Sequence, residues 1–230
     1  MKKLLLSTAV LCAFLSQSAL AATVTLDNSP ADDSVSDFGV PDSQTYGEVI
    51  TAPLTGYLTS FTLYTEGGVG SLYGGVAGWS GGSNYGTGYG STGLLYTSGV
   101  VSSVNTSVDG YTFSPNIPVV AGQQYVLFLS VNLADGTSNS VQGAAGTTSM
   151  PLSSVTVPGL NYFVWNNSAD GSGPQNNSWN YFWDYGNALT QATFSDVAPV
   201  PLPAALPLLG IALGGIGVAG AVGKKRRSAA

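Results

Sequence analysis

Residues 124–131, Gln124-Tyr125-Val126-Leu127-Phe128-Leu129-Ser130-Val131, are apolar at odd and even positions alike. Successive side chains of a strand point to opposite faces, so a strand of this composition must be covered on both. It belongs at the centre of a sheet, with packing above and below. Outward from it in either direction, no long segment has helical periodicity. Short runs rich in Val, Thr, Tyr and Phe recur between clusters of Gly, Pro, Asn and Asp. The expected strands are 23–26, 46–52, 57–65, 72–79, 94–98, 110–114, 124–131, 160–166, 179–185 and 189–194. Asp109-Gly110, Asp135-Gly136 and Asp170-Gly171 read as tight turns, because glycine accepts positive φ cheaply. Many short strands separated by turn signals predict an all-β chain, an antiparallel β-sandwich of jelly-roll-like form. A solenoid or propeller needs a repeat of fixed period, and the sequence has none.

Two segments interrupt this pattern. Residues 66–93 hold twelve glycines in twenty-eight positions, with Tyr73, Trp79, Tyr85 and Tyr89 interspersed. They read either as strand 72–79 followed by a surface loop, or as a binding loop whose aromatics stack on a ligand. Residues 132–151 form a second polar, glycine-containing insertion open to the same two readings.

Charge divides the chain sharply. All six cations lie at the ends, at Lys2, Lys3, Lys224, Lys225, Arg226 and Arg227, while all twelve acids lie between Asp27 and Asp196. Residues 22–198 therefore carry a formal charge of −12 and contain no Lys, Arg, His or Cys. Nucleic acid is excluded as a partner of that region, since nothing there neutralises phosphate. Acidic polysaccharide is repelled as well, unless a divalent cation bridges the two.

The same composition limits chemistry. Nucleophilic schemes that need His or Cys are ruled out. A two-carboxylate glycosidase stays open in principle, with Glu48 and Glu66 the only glutamates; both are expected as solvated surface acids. The chain is therefore expected not to be an enzyme. Asp27, Asp32, Asp33, Asp37 and Asp42 crowd one stretch, either as a solvated acidic leader or as hard oxygen ligands for Ca²⁺, though their spacing is not that of an EF-hand loop. In a strand, Trp179, Tyr181, Trp183 and Tyr185 would share one face, beside Asn180 and Asp184. Aromatic planes stack on pyranose rings while amides and carboxylates bond their hydroxyls, so the row fits a carbohydrate-binding face. It equally fits a sandwich core, where strand aromatics commonly sit.

Both ends carry addresses. Lys2 and Lys3 precede an apolar run from residue 4 to 15, and Ala19-Leu20-Ala21 completes a secretory signal peptide cut after Ala21 by signal peptidase. Cys12, the only cysteine, lies inside that run behind Leu11, which does not suit a lipidation site. At the other end, the nineteen uncharged residues 204–222 would reach roughly 28 Å as a helix, close to the ~30 Å hydrocarbon core of a bilayer. Eight strong apolar side chains at about −0.3 to −0.6 kcal/mol each supply only a few kcal/mol of insertion energy. The span suits a temporary membrane hold, and Lys224, Lys225, Arg226 and Arg227 beyond it place that end in the cytoplasm.

The order Val200-Pro201-Leu202-Pro203-Ala204, hydrophobic span, basic cluster is similar to the C-terminal sorting signal of PEP-CTERM proteins, the exosortase substrates of Gram-negative bacteria, in its VPLPA variant. Leu202 stands where the namesake motif has glutamate. The resemblance implies that an exosortase, a membrane-embedded cysteine transpeptidase, cuts near the proline motif and passes the protein outward to the cell surface or extracellular matrix. An oily tail that is an address and is then removed follows the logic of a GPI signal. Residues 39–131 also resemble a domain of exported PEP-CTERM proteins of unknown function. That likeness rests on 46–53 (YGEVITAP), 93–98 (GLLYTS), 111–115 (YTFSP) and 121–130 (AGQQYVLFLS), with Trp183, Tyr185-Gly186 and 192–194 (ATF) closing the domain. It implies a galactose-binding-like or related sandwich and no reaction. The expected organisation is a signal peptide at 1–21, a β-sandwich at 22–198 and a sorting signal at 199–230.

Overall fold

The computed structural model describes residues 21–39, 43–67, 70–81, 91–103, 108–131, 148–166, 179–181 and 186–199. Among them are fifteen strands and no helix: β1 (Thr23–Asp27), β2 (Asp33–Ser36), β3 (Thr45–Thr51), β4 (Gly56–Glu66), β5 (Gly70–Trp79), β6 (Ser91–Thr97), β7 (Val101–Ser103), β8 (Val108–Phe113), β9 (Ile117–Val119), β10 (Gln124–Ser130), β11 (Ser149–Ser153), β12 (Leu160–Asn166), β13 (Asn180–Tyr181), β14 (Asn187–Ala188) and β15 (Thr190–Ser195). They form two antiparallel sheets. One runs β1-β15-β4-β11-β14, with β2 on β11 and with β8 and β9 on β4. The other runs β13-β12-β3-β10-β5-β6, with β7 on β5.

β10 is the central strand its composition demands. It pairs with β3 from Gln124↔Thr51 to Ser130↔Thr45, and on its other side with β5 from Tyr125↔Gly78 to Ser130↔Tyr73. Tyr125, Leu127 and Leu129 point inward and meet Leu58, Phe61 and Leu63 of β4, Phe113 of β8 and Phe194 of β15 from the facing sheet. The molecule is therefore a β-sandwich, its main core lying between the sheets. Val126 and Phe128 point the other way, into a second apolar cluster on the outward face of the same sheet.

Glycines let aromatic rings lie flat on this sheet. Phe128 stands opposite Gly75, and a Cβ on Gly75 would fall inside the Phe128 ring. A Cβ on neighbouring Gly74 would fall inside the ring of Phe113, which reaches across from the other sheet. These two glycines of the 66–93 segment are strand residues that rings cover, and residues 68–69 and 82–90 of that segment lie outside the described ones.

Several expectations change. Asp109-Gly110 is not a turn but part of β8, paired with Thr65 and Tyr64. A Cβ at Gly110 would stand 2.8 Å from the Tyr64 ring, so glycine serves here to admit a cross-strand aromatic. Asp135-Gly136 and Asp170-Gly171 lie outside the described residues. Strands β2, β7, β9, β11 and β14 were not expected. β9 and β11 contain Pro118 and Pro151, which demote a run in any sequence reading. In the sheet Pro118 sits on a short strand that pairs with β4, and Pro151 keeps its carbonyl in use, accepting from the Leu189 N–H at 2.8 Å. Residues 149–153 of the expected polar insertion are thus sheet, while 132–147 lie outside the described residues.

Candidate functional site

The outward face of the seven-stranded sheet carries the densest group of aromatic rings. Trp79, at the end of β5, donates its indole N–H to the Tyr162 hydroxyl of β12 at 2.9 Å. The Trp179 ring meets Trp79 edge-on at 5.8 Å and Phe128 at 6.1 Å, and Tyr181 tilts onto Tyr162 at 4.4 Å. Edge-to-face packing of this kind adds to the burial of the rings, at about 0.5–1.5 kcal/mol per pair.

Strand alternation places Trp179 and Tyr181 on one face, since both belong to this cluster. Trp179, however, is only 1% exposed. It is a core residue and offers no face to a sugar, which corrects the ligand-face reading at this position. The physical reason is that the face it points to is itself buried, so the ring packs on Trp79 and Phe128 instead of standing in water. Asn180 is exposed opposite half-buried Trp165, and Tyr181 is half-buried opposite Val164. Trp183, Asp184 and Tyr185 lie outside the described residues.

The acids near the start of the sandwich are engaged separately. The Asp27 carboxylate accepts from the Ser29 N–H at 2.9 Å and from the Gln191 amide at 3.0 Å, and these bonds, the backbone one foremost, lower its pKa. Asp32 accepts from the Ser154 hydroxyl and from the Ser154 N–H, which lowers its pKa too. Asp33 accepts from the Ser34 N–H at 2.7 Å, and Asp37 accepts from Tyr46 through its backbone carbonyl. Among the described residues no three acids gather into a metal-ligating group; Asp42 lies outside them.

Glu48 departs most from expectation. It is a 0%-exposed side chain between the sheets, not a solvated acid. On β3 it stands between Tyr46 and Ile50, both of the main core. Its Oε2 accepts from the Ala188 N–H of β14 at 2.9 Å, joining the two sheets, while Oε1 has no partner. Burial pushes its pKa well above the usual carboxylate range, and the Ala188 and Asn161 N–H groups offset only part of that. The alternation Tyr46-x-Glu48-x-Ile50 is the signal that locates it: an acid flanked at i±2 by core residues shares their face. Glu66 sits at the surface and accepts from the Ser149 hydroxyl at 3.3 Å. Glu48 is thus sealed between the sheets while Glu66 is exposed.

The ends of the sandwich meet. β1 pairs with β15 from Thr23↔Ser195 to Asp27↔Gln191. Just beyond, the Ala22 N–H donates to Asp196 Oδ1 at 2.9 Å, and the Asp196 N–H donates to the Ala22 carbonyl at 3.1 Å. Ala21 is exposed at this junction. Ala19, the motif Val200 to Ala204 and the basic residues Lys224 to Arg227 lie outside the described residues, among which no helix is long and apolar enough to cross a membrane. Comparison of the chain with family models, curated proteins and solved structures finds no match.

Proposed function

We propose that the chain is an exported, non-catalytic protein of the cell surface or extracellular matrix of a Gram-negative bacterium. Signal peptidase frees it after Ala21, and an exosortase cuts it near Val200-Pro201-Leu202-Pro203-Ala204. The membrane holds it only in passing, through residues 204–222. The observation that carries this reading is the extent of the sandwich. It spans Thr23 to Ser195, and its first and last strands are sewn together just inside both expected cuts. A domain closed on its own ends loses no sheet partner when the flanking segments leave. The sandwich itself is read as jelly-roll-like, of galactose-binding-like kind, because β10 lies between β3 and β5 and so neighbours strands distant in sequence.

The direct test changes the tail. Replacing Pro201 and Pro203 with Ala, or Lys224, Lys225, Arg226 and Arg227 with Gln, should leave full-length protein in the inner membrane or misroute it. Fractionation that finds either variant at the surface in normal yield overturns the export reading.

Binding of matrix polysaccharide is a second reading, favoured by an exposed Asn180 and a half-buried Tyr181 on the two faces of β13. Its ligand site would combine these with Trp183, Asp184 and Tyr185, and Ca²⁺ would bridge the acidic surface to an acidic glycan. Exported protein applied to a glycan array with Ca²⁺ and with chelator decides it. Saturable binding lost in Tyr181→Ala or Trp183→Ala supports a carbohydrate-binding module. No binding by folded protein leaves a structural or adhesive matrix protein.

A further inference from the structure

The junction of β1 and β15 gains a new chemical group when the leader is removed. Hydrolysis adds water across the Ala21–Ala22 peptide bond. Ala21 leaves as a carboxylate, and the Ala22 nitrogen becomes a primary amine that takes up a proton. That nitrogen already lies 2.9 Å from Asp196 Oδ1. Residues 22–198 contain no other basic group, so once the basic tail is gone this ammonium is the only cation on a domain with twelve acids.

We propose that signal-peptide removal creates an ion pair between the Ala22 α-ammonium and the Asp196 carboxylate, a clasp that fastens β1 to β15 four residues before the proline motif. The inference rests on the export reading, specifically on a cut after Ala21. In the uncut chain the contact is one neutral amide donating to a carboxylate. In the cut chain the donor is charged, and such bonds are shorter and roughly twice as strong. The returning bond from the Asp196 N–H to the Ala22 carbonyl holds the carboxylate in place through either state. Among the described residues few other ionisable groups compete. Asp27 and Glu66 stand at the far ends of β1 and β4, and the Tyr57 phenol belongs to the β4 residue opposite Ser195. Processing at the amino end thereby tightens the strand that leads directly into the second cut.

The full chain is expressed in a Gram-negative host, and its exported product is recovered and weighed by mass spectrometry. Reductive ¹³C-methylation then labels its amines, and NMR follows their titration in wild type and in Asp196→Asn. Without the tail the product has one amine; if the tail is retained, Lys224 and Lys225 add signals near their ordinary pKa of about 10.4. The expected product begins at Ala22. Its α-amine should titrate above the ordinary range of about 7.7–8.0, and Asp196→Asn, folded by near-UV circular dichroism, should lower it by about 0.2–0.7 unit, the span of an exposed ion pair. A product starting at Ala22 whose titration ignores Asp196→Asn overturns the clasp alone. A product with another first residue overturns the cut position and the clasp with it.

Discussion

At the scale of single residues, Glu48 and Trp179 set the terms. Burial holds the Glu48 pKa well above the usual carboxylate range, so the folded protein favours its protonated form more than the unfolded chain does. An unfolded chain ionises the same group above about pH 4.3. Its contribution to stability is therefore full below that pH and is lost as pH rises toward the folded pKa, at about 1.4 kcal/mol per unit for one proton. Glu48→Gln should reduce this slope, so that stability above about pH 5, followed by urea unfolding, depends less on pH. An unchanged slope would mean that Glu48 does not titrate on unfolding. Trp179→Ala should cost about 3–5 kcal/mol, the range for truncating a buried Trp, seen as a lowered urea midpoint. A loss below about 1 kcal/mol would contradict its place in the second core. Both burials were only half legible in the sequence. Alternation fixes which residues share a face, as it does for Trp179 with Tyr181 and for Glu48 with Tyr46 and Ile50. It does not say whether the outward face of a sheet is wet, and here that face is a core.

At the scale of elements, the strongest strands were legible and the weakest were not. β10, β4, β12 and β15 are long or densely apolar, and periodicity finds them within a residue or two. β2, β7 and β9 have three or four residues, too few to show a period, and exist because a longer strand offers them partners. Glycine misled at Gly110, which reads as a turn residue, and not at Gly75, which falls in the expected strand 72–79; each is a strand position opposite an aromatic ring. The two should respond differently to substitution. Gly75→Ala drives a methyl group into the fully buried Phe128 ring and should destabilise by about 1–3 kcal/mol, as overpacking does. Gly110→Ala meets the Tyr64 ring at 2.8 Å, a milder overlap with a ring that is only half-buried, and should cost less. Thermal melts of the pair check the order, and a Gly110→Ala penalty equal to that of Gly75→Ala would contradict it.

At the scale of the whole molecule, a domain with twelve acids and no side-chain cation repels itself. Its melting temperature should rise as salt is added from 0.01 to 0.5 M, because screening shortens the reach of that repulsion from about 30 Å to a few ångströms. It should also rise as pH falls from 8 toward about 4.5, with the raised pKa of Glu48 acting in the same direction. Below that the trend reverses. Asp27 and Asp32 have lowered pKa values, so the stability they give is present above the ordinary Asp value and is lost as pH falls through their own. A stability optimum at pH 7 or above, or no response to salt, would contradict this balance. The two ends are read as addresses from charge and hydropathy alone, and residues 1–20 and 200–230 lie outside the described ones. The meeting at Ala22 and Asp196 was not legible, since strand pairing across the whole domain has no local signature. The central claim, a sandwich exported and trimmed at both ends, is tested most directly by the intact mass of the protein recovered from the surface of producing cells. The account predicts a product that begins at Ala22, ends near residues 200–204 and lacks Lys224 to Arg227; a surface product that retains residues 1–21 or the basic tail would contradict it.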